Sequence, residues 1–145
     1  MILFTSDTKK FTRISMGYML IGLFFAIFGA VYEVFSHGVY SYHMIYAFAF
    51  PLFGGALPAL IFSLSQSPKK PGPAVRGIYH CGIATFTVGS VIRGVLDIYG
   101  TTNSMTQWYW LAGNALITVA VVAYFVQLIL ALIKKTPPRD NIDAE

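Results

Sequence analysis

Residues 89–97 read GSVIRGVLD and place Arg93 and Asp97 one helical turn apart inside an otherwise apolar segment. Side chains four residues apart lie on the same face of a helix, so the spacing predicts an ion pair between the two. A charged side chain within a membrane is costly unless it finds a partner or serves a function. The stretch therefore predicts a transmembrane helix with one polar cluster that needs an explanation.

The apolar segment around this stretch covers residues 74–98, and three more apolar runs cover residues 14–35, 44–64 and 108–133. About 20 apolar residues in a helix cross the hydrocarbon core of a bilayer. Charged residues are 11% of the chain, against roughly 25% in soluble domains. These features predict an all-α integral membrane protein, a four-helix bundle whose transmembrane domain covers residues 14–133.

The basic residues predict the orientation. Because Lys and Arg are enriched in cytoplasmic loops, their positions place both termini in the cytoplasm, with residues 1–13 as a tail and 134–145 as a disordered tail. The first apolar run is too long for a signal peptide, so we expect a multi-pass protein of the cell membrane, most simply the bacterial cytoplasmic membrane. The basic residues lie in short clusters at the ends of the apolar runs, and this distribution argues against nucleic-acid binding. All basic residues except Arg93 fall on the predicted cytoplasmic side: Lys9, Lys10, Arg13, Lys69, Lys70, Arg76, Lys134, Lys135 and Arg139.

An internal similarity at an offset of sixty residues suggests two pseudo-repeated helical hairpins. It aligns three glycines of the first run with three of the third, and it places Glu33 opposite Arg93. Parallel repeats are related by an axis along the membrane normal. We therefore expect Glu33 to be a partner of Arg93 across the two helices. The aligned glycines are Gly17, Gly22 and Gly29 with Gly77, Gly82 and Gly89.

Six polar side chains fall in the predicted outer half of the membrane and form the candidate site. Two interpretations stay open, a structural ion-pair network and an outward-facing pocket in which an arginine fork binds a carboxylate, a phosphate or a quinone carbonyl. The predicted cluster consists of Arg93, Asp97, Glu33, Asn114, His37 and His43.

The second apolar run contains Pro51 and Pro58. Each proline removes one backbone hydrogen bond and crowds the carbonyl four residues earlier. We therefore predict a kink in this helix.

No catalytic signature stands out, and the single cysteine excludes an internal disulfide. The function that we expect is that of a binding module or a complex subunit in the lipid bilayer, acting through the outer cluster as a homo-oligomer or in a larger membrane complex. One alternative is an oxidoreductase subunit that binds haem or quinone, because His37 and His43 flank one short loop, and the same two histidines are candidate metal ligands. A small transporter or channel is the other.

Overall fold

A computed structural model of the chain describes residues 2–65 and 70–135, which form helices and connecting turns without a strand. Four helical segments are long and apolar enough to cross a membrane: Thr8–Val34, Tyr42–Leu64, Pro73–Ile98 and Thr106–Lys134. The predicted class, an all-helical bundle of four membrane-spanning segments, is therefore confirmed.

The helices begin and end close to the predicted boundaries except at the N-terminus. The elements are α1 (Ile2–Val34), α2 (Tyr42–Ile45), a π-helix (Phe50–Ala56), α3 (Leu57–Leu64), α4 (Pro73–Ile98) and α5 (Thr106–Lys135).

The first helix starts far before residue 14, so most of the predicted N-terminal tail is helical. Residues 2–13 contain neither glycine nor proline, and Phe11 is buried at 3% exposure, so both propensity and packing extend the helix. At the other terminus, Lys134 and Lys135 belong to α5. The rest of the predicted C-terminal tail lies outside the described residues.

The second span, Tyr42–Leu64, is not a continuous α-helix, as its two prolines predict. It contains α2, a turn, the π-helix that includes Pro51, and α3, in which Pro58 lies in the first turn. At the end of the π-helix, the Leu57 N–H bonds to the Leu52 carbonyl five residues earlier. The wider turn accommodates residues that cannot complete the α-helical pattern.

The helices pack in chain order. The backbone of α1 contacts the second span, the second span contacts α4, and α4 has its most extensive contact with α5. Among the described elements, α1 makes no close backbone contact with α4 or α5. We call the end with the connections 35–41 and 99–105 the loop end, and the end with residues 8–13 and 70–72 the terminal end.

The glycines sixty residues apart take equivalent positions in the two hairpins. On α1, Gly22 and Gly29 face the second span, and on α4 the aligned Gly82 and Gly89 face α5. A side chain on Gly89 would lie 2.6 Å from the Tyr109 Cβ, so close packing requires the small residue. The remaining pair, Gly17 and Gly77, has open space around both positions.

Candidate functional site

A polar cluster at the loop end joins α2 to α4 around the carboxylate of Asp97. The Ser41 hydroxyl donates to Asp97 Oδ2 over 3.0 Å, and His43 Nδ1 lies 3.0 Å from the same oxygen. Arg93 Nε lies 3.1 Å from Oδ1, which confirms the pair that the one-turn spacing predicts. We call these residues, with Ser90, the loop-end cluster. Both carboxylate oxygens have donors, as a charge at the membrane boundary requires.

Close packing of α2 against its neighbours brings His43 to Asp97. The next residue, Met44, is fully buried between two glycines. A Cβ on Gly29 would lie 3.0 Å from the Met44 carbonyl oxygen, and one on Gly94 would lie 2.8 Å from the Met44 nitrogen. The Ser90 hydroxyl then donates to the His43 carbonyl over 2.7 Å. The two glycines thus allow the backbone contact from which the cluster is built.

The guanidinium of Arg93 is only partly used by this network. Its Nε bonds to Asp97, and no other described side chain pairs with its two Nη groups. The side chain is 33% exposed, against 26% for Asp97. A guanidinium has five N–H donors, so four N–H groups of Arg93 are available to bond to a group other than the described residues. The cluster can therefore fix the helices and still offer a cationic edge to an anion.

Glu33 does not form the predicted ion pair with Arg93. Its Oε1 atom is buried and has no hydrogen-bond partner among the described residues. The reason lies in the packing at the loop end, where the backbone of α1 approaches the second span but not α4. There Met44 of the second span lies between Gly29 of α1 and Gly94 of α4. It therefore separates Glu33 from Arg93.

The predicted position of Asn114 in the interior was also wrong. Asn114 is exposed on α5, and its Nδ2 donates to the carbonyl of Trp110 on the same helix over 2.9 Å. The interior face of α5 instead carries Gly113, where a Cβ would lie 3.0 Å from the Phe86 ring. A difference of one residue turns a helical side chain by about 100°, so the small neighbour takes the packed face.

His37 lies apart from the loop-end cluster. It is exposed in the turn after α1 and has a positive φ of 56°. His43 is in the cluster, and its Nδ1 is engaged by Asp97. Within residues 2–65 and 70–135, no three His, Cys, Asp or Glu side chains come together in a group that could hold a metal ion.

Sequence reasoning missed the role of Ser41. This serine lies in the connection before α2, where its 2% exposure is not visible from hydropathy. The sequence feature that could have drawn attention to Ser41 is its position at the N-terminal boundary of a helix, since serine is favoured there. Its hydroxyl bonds to Asp97 across the bundle rather than capping α2.

Three aromatic rings pack directly beside the loop-end cluster. Phe50 and Phe86 are stacked, with centroids 5.5 Å apart, and Trp110 lies 5.8 Å from the first and 5.5 Å from the second. The His43 ring is 6.1 Å from Trp110. These contacts connect the second span, α4 and α5, so all three elements support the position of His43.

A second site lies at the terminal end, where residues of all four spans line a cavity of about 160 Å³. Its walls are mainly apolar and aromatic, but His80 and Arg76 also line it. His80 Nδ1 is 2.6 Å from the Tyr18 hydroxyl. The sequence has no second histidine at the depth of His80, and sequence analysis did not predict its hydrogen bond with a tyrosine on α1. The other lining residues include Phe11, Pro58, Phe62, Tyr79, Ala120 and Tyr124.

Comparison with known proteins found no matching family model, no similar curated protein and no similar solved structure. The chain is therefore assigned to a class by its fold alone, as a multi-pass membrane protein with four spanning segments.

Proposed function

We propose that this protein is a small membrane binding module or complex subunit whose loop-end cluster binds an anionic group. The observation that carries the proposal is the partial use of Arg93. Its Nε pairs with Asp97, and its Nη edge has no partner among the described side chains. Two Nη groups match the spacing of phosphate or carboxylate oxygens.

The depth of Arg93 supports a headgroup or a partner side chain as the source of that anion. It lies five residues before the end of α4 at Ile98, which corresponds to roughly 7 Å at 1.5 Å per residue. A long cationic side chain at this depth reaches the headgroup level. The phosphate of an anionic lipid and the carboxylate of a neighbouring chain share the chemistry that would satisfy it.

Lipid titration of the purified chain tests this proposal. We expect dioctanoyl phosphatidylglycerol to bind saturably and to raise the thermal stability in neutral detergent, whereas dioctanoyl phosphatidylcholine does not. Arg93→Leu should weaken this binding about tenfold, the effect of losing one hydrogen bond to a charged group. Arg93→Lys should retain part of it.

Arg13→Leu is the matched control, because Arg13 is exposed at the terminal end of α1. It should leave the saturable binding unchanged. Native mass spectrometry of the same samples distinguishes the second source, since a carboxylate from a partner chain predicts an oligomer that Arg93→Leu dissociates. If Arg93→Leu changes neither lipid binding nor the oligomer, the cluster is not a binding site.

We further propose that both termini face the cytoplasm of a bacterial cell and that the protein works as a homo-oligomer or in a larger membrane complex. The clustered basic residues at the terminal end support this orientation. The small buried share of α5, 6% of its most apolar window against 33% for α4, supports contacts beyond one chain. A reporter that is active only in the cytoplasm should be active at residue 145 and inactive when inserted at Asn103. The opposite pattern would contradict the orientation.

A further inference from the structure

The cavity at the terminal end carries an inference that is independent of the loop-end cluster. It lies between all four spans and has a volume of about 160 Å³. Apolar protein cavities of about 150 Å³ bind a single benzene ring. The cavity therefore has the size of one six-membered ring rather than that of a large cofactor.

The walls of the cavity favour a flat, apolar occupant. Rings from three elements approach one another at its edge, since Phe62 lies 5.8 Å from Phe11 and 5.8 Å from Tyr124. Pro58 and Ala120 supply apolar surface between them. Offset and edge-to-face contacts with such rings favour an aromatic or quinonoid molecule.

The hydrogen bond between Tyr18 and His80 determines which polar group the occupant must carry. The Tyr18 hydroxyl lies 2.6 Å from His80 Nδ1 and has no other acceptor among the described residues. We assign Tyr18 as the donor and Nδ1 as the acceptor, because the half-buried hydroxyl has no other described acceptor and an unpaired hydroxyl inside the bundle is costly. The proton of the neutral imidazole is then on Nε2. Nε2 also has no described partner, so it is an available donor beside the cavity.

The polar groups that also line the cavity make other contacts. The Tyr79 hydroxyl donates to the Gly54 carbonyl over 2.7 Å. The Arg76 guanidinium lies over the Phe11 ring, 5.2 Å from its centroid. From the ring-sized volume, the aromatic walls and the available N–H donor of His80, we propose that the cavity binds a lipid-soluble ring that carries a carbonyl oxygen, as in a quinone headgroup, with His80 Nε2 as its hydrogen-bond donor.

Binding of duroquinone to the full chain in nanodiscs tests the proposal. This tetramethyl benzoquinone has no unsubstituted ring carbon that would add to the exposed Cys81. Durene is the matched probe, because it has the same ring and methyl groups but no carbonyl. With ¹⁵N-labelled histidine, we expect duroquinone to bind at one equivalent per chain and to shift the Nε2 resonance of His80. Durene should bind about three- to tenfold more weakly, in keeping with the loss of one hydrogen bond.

Two variants separate the site from the bulk lipid. Ala120→Phe fills the cavity at a residue that is 1% exposed, and it should abolish saturable binding. Its control, Val122→Phe, adds the same ring at a residue that is 56% exposed and should leave binding unchanged. If Ala120→Phe does not fold, His80→Leu serves in its place and should reduce duroquinone affinity to that of durene.

Three results would overturn the proposal. One is equal affinity for the two probes, and another is binding that survives both Ala120→Phe and His80→Leu. The third is a lipid acyl chain that occupies the cavity and is not displaced by duroquinone.

Discussion

At the loop end, polar side chains from two elements bond to one another, whereas at the terminal end mainly apolar and aromatic side chains line a cavity. Asp97 has donors on both carboxylate oxygens, from Ser41, His43 and Arg93. By contrast, His80 at the terminal end is bonded through Nδ1 and keeps Nε2 available.

The difference arises from the residues that set the distance between the helices. At the loop end, Gly29 and Gly94 allow the Met44 backbone to approach both neighbouring helices. At the terminal end, the rings of Phe11, Phe62 and Tyr124 meet edge-on or tilted. The space beside these rings is the cavity of about 160 Å³. A bundle with the same four helices can therefore be closed at one end and hollow at the other.

Gly94→Ala should have the largest effect of the variants that probe this comparison. The added Cβ would lie 2.8–2.9 Å from backbone atoms of Met44, which cannot move without shifting α2. We expect a loss of about 1–3 kcal/mol of unfolding free energy, the usual cost of overpacking. Unfolding in mixed micelles, followed by tryptophan fluorescence, measures it.

Gly77→Ala is the control on the same helix. No atom lies within 4 Å of the position that its Cβ would take. The helix propensity of alanine should make this variant neutral or up to about 1 kcal/mol more stable. Equal losses at the two glycines would show that contact with Met44 does not hold the loop end together.

Asp97→Asn should have the next largest effect, because it leaves Arg93 without its carboxylate. Losing one partner of a buried pair costs about 3–5 kcal/mol, but these side chains are 26–41% exposed. We therefore expect about 1–2 kcal/mol in the same unfolding assay. Combining Asp97→Asn with Arg93→Leu should restore part of the loss, since no uncompensated charge remains. An additive double variant would contradict the pairing.

Glu33→Gln gives the contrast that separates the observed network from the predicted one. Glu33 Oε1 has no partner among the described residues, so neutralising this group removes no described ion pair. We expect no loss of stability. A loss as large as that of Asp97→Asn would instead support the pair between Glu33 and Arg93 that the repeat predicts.

The sequence was sufficient for features that depend on local spacing or on long apolar runs. The four spans, the interruption at Pro51 and Pro58, and the pair between Arg93 and Asp97 are all of this kind. Each of these features depends on residues within a single helical turn or a single helix. The glycines that face the partner helix within each hairpin also follow the predicted sixty-residue offset.

Contacts between helices could not be derived in the same way. Glu33 and Arg93 share a depth, but depth does not determine which helices are neighbours. Asn114 was assigned to the wrong face, because an almost uniformly apolar helix gives little periodic signal to distinguish the interior from lipid. The cavity was also missed, since it depends on how rings from four spans meet.

The smallest predicted loss of stability concerns the backbone carbonyl of Gly54, which Pro58 leaves without its helical partner. Proline has no N–H, so it cannot donate to Gly54, four residues earlier. The Tyr79 hydroxyl on α4 donates to that carbonyl over 2.7 Å. In a membrane, where water does not supply the missing bond, Tyr79→Phe should cost about 1 kcal/mol of unfolding free energy.

Pro58→Ala tests whether the contribution of the Tyr79 hydroxyl to the free energy of unfolding depends on the proline. An alanine at this position restores an N–H four residues after Gly54, and it allows the π-helical segment to continue as an α-helix. In that background, Tyr79→Phe should cost less than half as much, because the carbonyl has a second donor. Tyr46→Phe, at a tyrosine that is 55% exposed in the same span, should have no measurable effect in either background. If Tyr79→Phe costs the same with and without Pro58, the hydroxyl stabilises the helix contact directly and does not compensate for the proline.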